Sequence, residues 1–104
     1  MAELDGGALA DLPPGTMKLL ESGSQSIGLF NCHGELHAIE DRCTHDDGPL
    51  CHGTWDIESC TISCPRHGAN FDLKTGRPLS LPAYLPARIF PVRVREGNIT
   101  VEVG

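Results

Sequence analysis

The chain has 104 residues, which fits one domain with one modest core. With 8 Lys and Arg against 14 Asp and Glu, the formal charge is −6, which argues against nucleic acid or an anionic membrane as the main partner. No stretch approaches the ~20 apolar residues of a membrane span, and Met1 to Asp5 lack the basic start of a secretory signal. A soluble, cytoplasmic monomer is therefore expected.

The 12 Gly and 8 Pro favour turns and short strands over long helices. Residues 9–15 read as a turn, because Pro13 and Pro14 forbid a helix interior there. Thr16 to Glu21 reads as a strand and Gly23-Ser24-Gln25 as a turn. Ile27 to Cys32 and Glu35 to Ile39 flank His33-Gly34 as a hairpin. From Asp41 to Leu50 the chain is polar and rich in loop formers. Thr54 to Ser63 alternates, with Trp55, Ile57 and Ile62 among polar residues, so one or two short strands fit. A second loop runs from Cys64 to Gly68. Asn70 to Leu73 reads as a strand, Lys74 to Arg77 as a turn, and residues 82–87 as a surface crossing. Arg88 to Arg95 and Ile99 to Val103 around Glu96-Gly97-Asn98 form the clearest hairpin in the chain. The expected fold is all-β, one domain over 1–104, with notable loops at about 41–50 and 64–72.

Five cysteines are too many to ignore, and their odd number argues against a pure disulfide framework. The loops hold Cys43-Thr44-His45 and Cys64-Pro65-Arg66-His67, with eighteen residues between His45 and Cys64. Thiolate and imidazole together suit zinc or iron, whereas calcium wants oxygen. A structural zinc site usually pairs two cysteines on one knuckle. The one-residue spacing of Cys43 and His45 is awkward for a single tetrahedral ion. It is natural if each residue binds a different iron of a [2Fe–2S] rhomb.

The pattern C-T-H-x18-C-P-R-H-G resembles that of Rieske-type ferredoxins. The flanks Asp46-Asp47-Gly48-Pro49-Leu50, Gly68-Ala69-Asn70-Phe71-Asp72, Thr75-Gly76-Arg77-Pro78 and Pro82-Ala83 are also similar, so the likeness covers roughly residues 25–103. The resemblance implies a small antiparallel barrel or sandwich with a cluster-binding subdomain made of the two loops. It implies one [2Fe–2S] cluster, with Cys43 and Cys64 on the inner iron and His45 and His67 on the outer iron near the tip. Two ferric ions, two sulfides and two thiolates sum to zero charge. Such a site has a potential above all-cysteine clusters, within about −150 to +300 mV.

The sequence departs from the respiratory-complex members of that family. Their additional loop cysteines, joined as a disulfide, are matched here by Gly48 and Arg66. Their hydroxyl donors to cluster or ligand sulfur are matched by Ala69 and Phe71, and neither can donate. Fewer donors leave the reduced cluster's charge less stabilised, which implies the low-potential branch. That branch is similar to ferredoxins serving bacterial ring-hydroxylating oxygenases.

Ordinary explanations suit the remaining candidates. Cys32, Cys51 and Cys60 read as buried free thiols acting as small hydrophobes, and a Cys51–Cys60 disulfide is disfavoured in cytosol. His33 suits a hairpin turn, and His37 and His52 suit surface or strand positions. Asp46 and Asp47 read as turn residues, Arg42 and Arg66 as solvated charges or docking groups, and Trp55 as packing under the loops.

The expected function is one-electron transfer, from a flavin-containing reductase to a terminal oxygenase, by a protein that is not itself an enzyme. No second histidine pair with a carboxylate supports the mononuclear iron of an oxygenase. The alternatives are a Rieske subunit of a nitrite-reductase-like complex, an accessory ferredoxin for a pathway such as iron–sulfur assembly, and a zinc-stapled interaction module.

Overall fold

The segment Gln25–Cys32 is buried on both faces from Ile27 onward, and the other strands are arranged around it. The fold is given by a computed structural model that describes residues 3–22, 25–42, 50–51, 53–65, 68–80 and 85–103. Its strands are β1 (Glu3–Ala8), β2 (Met17–Ser22), β3 (Gln25–Cys32), β4 (Glu35–Glu40), β5 (Trp55–Asp56), β6 (Thr61–Ser63), β7 (Asn70–Asp72), β8 (Ile89–Phe90), β9 (Val92–Arg95) and β10 (Asn98–Glu102). One 3-10 turn, Leu9–Asp11, follows β1, and the described residues contain no α-helix.

The strand pairings among the described residues are all antiparallel, as the short alternating segments lead one to expect. The central sheet has the order β2-β3-β4-β8. A second sheet, β1-β10-β9, and a third, β5-β6-β7, are the others among the described residues. Because side chains alternate across a strand, β3 serves two cores. Ile27 and Leu29 pack with Leu12, Ala38, Phe90, Ile99 and Val101. Phe30 and Cys32 point the other way and pack with Ile39, Leu50, Cys51, Ile62, Cys64, Phe71 and Leu73. The second core therefore joins the central sheet to β5-β6-β7, the sheet from which Cys64 emerges. Trp55 packs on this core and meets Phe30 edge to face at 5.0 Å, the packing role expected of it.

Two elements differ from the sequence reading. β1 was not expected, because Glu3-Leu-Asp-Gly-Gly-Ala8 has poor strand propensity. Its glycines are explained by tertiary fit. A Cβ on Gly6 would lie 2.8 Å from Ile99 Cγ2, and Gly7 at φ +85° sits where the β1–β10 register shifts. Asp5 Oδ1 accepts from the Gly7 N–H at 2.8 Å and from Asn98 Nδ2 at 3.1 Å, so its carboxyl lies below the ordinary value. The other difference is at Pro91, which splits the expected strand Arg88 to Arg95. β8 pairs with β4, whereas β9 pairs with β10, so the chain changes sheets at a residue that has no N–H to give a ladder.

The hairpins are as read. The β3–β4 turn has positive φ at both His33 and Gly34, and Asn31 Oδ1 accepts from the Gly34 N–H at 2.8 Å. The β9–β10 turn repeats this at Glu96 and Gly97. His33 is thus a turn residue, as expected. His37 lies on β4, 3.6 Å from Glu35. Within the segment read as a surface crossing, Leu85 is exposed but Ala87 is buried and donates to Gly76 O at 2.8 Å.

A correction concerns the cysteines. Cys32 and Cys60 are not free thiols: they form a disulfide with a Cα–Cα distance of 5.8 Å. Neither bonds to Cys51, which remains a buried thiol. The bridge runs from the end of β3 to the turn before β6, and 28 positions of sequence separate its halves. The partner of Cys60 is set by how the outer sheet stacks on β3, which no local sequence pattern encodes.

Candidate metal centre

Of the four expected ligands, Cys64 is among the described residues, and Cys43, His45 and His67 lie outside them, as do His52, Asp46, Asp47, Gly48 and Arg66. Cys64 follows β6 directly and is buried, without a disulfide partner. Its N–H donates to Ala69 O at 2.7 Å, and its carbonyl accepts from the Gly68 N–H at 3.0 Å. These two bonds close a tight turn, with Gly68 at φ +72°. These backbone bonds place a buried cysteine at the entrance to the second loop.

The end of the first loop comes to the same place. Leu50 and Cys51 share the core that holds Cys64 and Ala69. Beyond them, Ser63 N donates to Thr54 O at 2.8 Å, so the exit from the first loop runs beside the entrance to the second.

The five cysteines have different chemistry. Cys32 and Cys60 are consumed by their bridge. Cys51 is free but poorly suited to be a thiolate. Burial first, and then the neighbouring Asp41 carboxylate, push its thiol far above the usual range. It packs over Gly28, where any side chain would meet its sulfur. Cys64 is the other free cysteine among the described residues, and Cys43 lies outside them. The donor set of these two thiolates with His45 and His67 fits a cluster having sulfur on one iron and nitrogen on the other.

Beside the first loop lies an open groove of about 590 Å³ lined by Glu40, Arg42, Leu85, Pro86, Ala87 and Arg88. It offers guanidinium groups and a carboxylate but no nucleophile. Arg42 lies 4.0 Å from Glu40 and is half exposed.

Residues 5–91 match the Rieske [2Fe–2S] domain family. The chain belongs to that family. Its cofactor is one [2Fe–2S] cluster, and this Rieske protein is an electron carrier rather than a catalyst. It is similar to the 3-phenylpropionate/cinnamic acid dioxygenase ferredoxin subunit of Escherichia coli K12, 40% identical over 95 residues, covering 91% of this chain and 88% of the relative. The ferredoxin of carbazole 1,9a-dioxygenase from Nocardioides aromaticivorans IC177 superposes with a TM-score of 0.88 at 30% identity, covering 97% of both chains. A ferredoxin solved in complex with the reduced oxygenase of carbazole 1,9a-dioxygenase gives 0.87 at 35% identity, covering 95% of this chain and 91% of the other.

The sequence reading missed Asp41. Its only signal was an acidic residue two positions before Cys43, which looks like ordinary solvated charge.

Proposed function

We propose that Cys43 and Cys64 hold the inner iron and His45 and His67 the outer iron, and that the protein passes single electrons from a flavin-containing reductase to a terminal oxygenase. The observation that carries the ligand assignment is the sorting of the five cysteines described above. Two are bonded to each other and Cys51 is packed over Gly28 beside Asp41, which supports Cys64 and Cys43 as the sulfur ligands. When bound, the cluster supplies a single reversible electron. The protein supplies the buried sulfur at Cys64 and the backbone turn that fixes it.

The composition of the purified protein tests this reading. Two irons and two acid-labile sulfides per chain are expected, with a red-brown colour. Stoichiometric zinc without sulfide, in protein made under iron-replete conditions, would instead identify a zinc-stapled module.

The oxygenase as acceptor is supported by the likeness to a ferredoxin that forms such a complex. Among the described residues no helix is long and apolar enough to cross a membrane. Electrons should enter and leave through the imidazole tip. Charge reversal at Arg66 should therefore slow transfer to either partner while leaving the visible spectrum intact. Arg93 lies on β9, in the sheet packed on the opposite face of β3, paired to Glu102 at 3.1 Å. Equal slowing by reversal at Arg93 would show that docking occurs elsewhere.

A further inference from the structure

We infer that Asp41 is a positioning residue: its carboxylate clasps the two ends of the first ligand loop and anchors them to the central sheet. This rests on the ligand assignment proposed above, since Cys43 and His45 lie between the clasped ends. Asp41 follows β4 immediately. Its own N–H donates to Ser26 O at 2.9 Å, and Ser26 Oγ donates to its Oδ2 at 3.3 Å. Both bonds fix it to β3. Its Oδ1 then accepts from the N–H of Leu50 at 2.9 Å and of Cys51 at 2.6 Å. The Cys51 thiol is a further hydrogen-bond partner of the same side chain.

One side chain thus gathers residues nine and ten positions further along the chain. Residues 42–49 between them carry Cys43 and His45. The loop's exit, Leu50 and Cys51, is buried in the core that also holds Cys64. A shift at the clasp therefore moves the first ligand pair relative to the second. Two backbone N–H groups meeting on one acceptor oxygen fix adjacent residues of the loop's exit at once, so the clasp suits a loop that must not drift.

Two substitutions separate geometry from charge. Asp41→Asn keeps an acceptor oxygen in place and removes the charge. Asp41→Glu keeps the charge and displaces the acceptor by one methylene. Each cluster-loaded variant is challenged with an iron chelator, and the decay of visible absorption gives the rate of cluster loss. Asp41→Asn should lose its cluster within about twofold of wild type. Asp41→Glu should lose it roughly tenfold faster, the worth of one or two hydrogen bonds. Loss from Asp41→Asn as fast as from Asp41→Glu, or faster, overturns the inference. So do equal rates in all three proteins.

A measurement on the wild-type protein keeps the inference testable should a variant fail to fold. In the cluster-loaded chain, the amides of Leu50 and Cys51 should exchange with solvent far more slowly than unbonded loop amides. Fast exchange at both overturns the clasp. A wild-type protein holding zinc instead of iron and sulfide would overturn the ligand assignment itself, an outcome distinct from all of these.

Discussion

Replacing Cys32 and Cys60 together by alanine should lower the apparent Tm of the cluster-loaded protein by roughly 15–25 °C. The bridge joins residues 28 positions apart. Closing a ring of that size removes unfolded-chain entropy worth about 3.5 kcal/mol. For a domain of this length each kcal/mol moves the Tm by about 4–8 °C. The bridge is also the strongest discrete tie between the central sheet and β5-β6-β7. The Glu35–Lys74 pair spans the same gap at 3.4 Å, but both groups are exposed and water screens their attraction. The edge contact of Phe30 with Trp55 adds about 0.5–1.5 kcal/mol beyond its burial. Thermal scans by far-UV circular dichroism, with and without a dithiol, make the comparison. Wild type treated with dithiol should fall toward the double variant, and the double variant should be indifferent to it. A difference below about 5 °C would show that the bridge does not hold the outer sheet, since even a 1 kcal/mol tie moves the Tm by that much.

Local patterning made most of the fold legible. β2, β3 and β4 were readable because Met17 to Ile39 holds apolar runs broken at His33-Gly34 by residues that adopt positive φ. The β9–β10 hairpin was readable for the same reason at Glu96-Gly97. What escaped was set by contacts distant in sequence. β1 exists because Gly6 lets the backbone approach Ile99, some ninety positions away, and nothing in Asp5-Gly6-Gly7 advertises a strand. The exchange of sheets at Pro91 depends on β4 lying beside β8, and the Cys32–Cys60 pairing depends on how two sheets stack.

The ligand set was legible because its chemistry needs particular residue types at short spacings, and these survive in a bare sequence. Asp41 was not, because a carboxylate that accepts backbone N–H groups nine and ten residues away leaves no spacing to recognise. Cys51 shows the converse. In the sequence it is one more cysteine near a metal loop. In the structure, burial and Asp41 keep it a thiol.

The wild-type midpoint potential should lie toward the bottom of the Rieske window of about −150 to +300 mV. Both positions that match the hydroxyl donors of high-potential members are wholly buried here, and both lack a hydroxyl: Ala69 and Phe71. A hydrogen bond to a charged acceptor is worth about 1.5–3 kcal/mol, and only the part that differs between the oxidised and reduced cluster moves the potential. Since about 59 mV corresponds to tenfold in a one-electron equilibrium, the absence of two such donors should lower it by roughly 100 mV. Ala69→Ser is the cleaner probe. Ala69 O accepts the Cys64 N–H across the second loop, so the new hydroxyl joins the turn that carries a proposed ligand. Phe71 instead pairs with Ile62 inside the core, where a phenolic oxygen must also find room, so Phe71→Tyr should raise the potential while lowering stability. His67→Cys should move the potential the opposite way, because a thiolate adds negative charge to the site. Voltammetry at neutral pH gives all four values. A wild-type midpoint in the upper half of the window would overturn the donor argument, and with it the reductase-to-oxygenase role, because a low potential is what makes quinol oxidation unfavourable and leaves a reductase as the electron source.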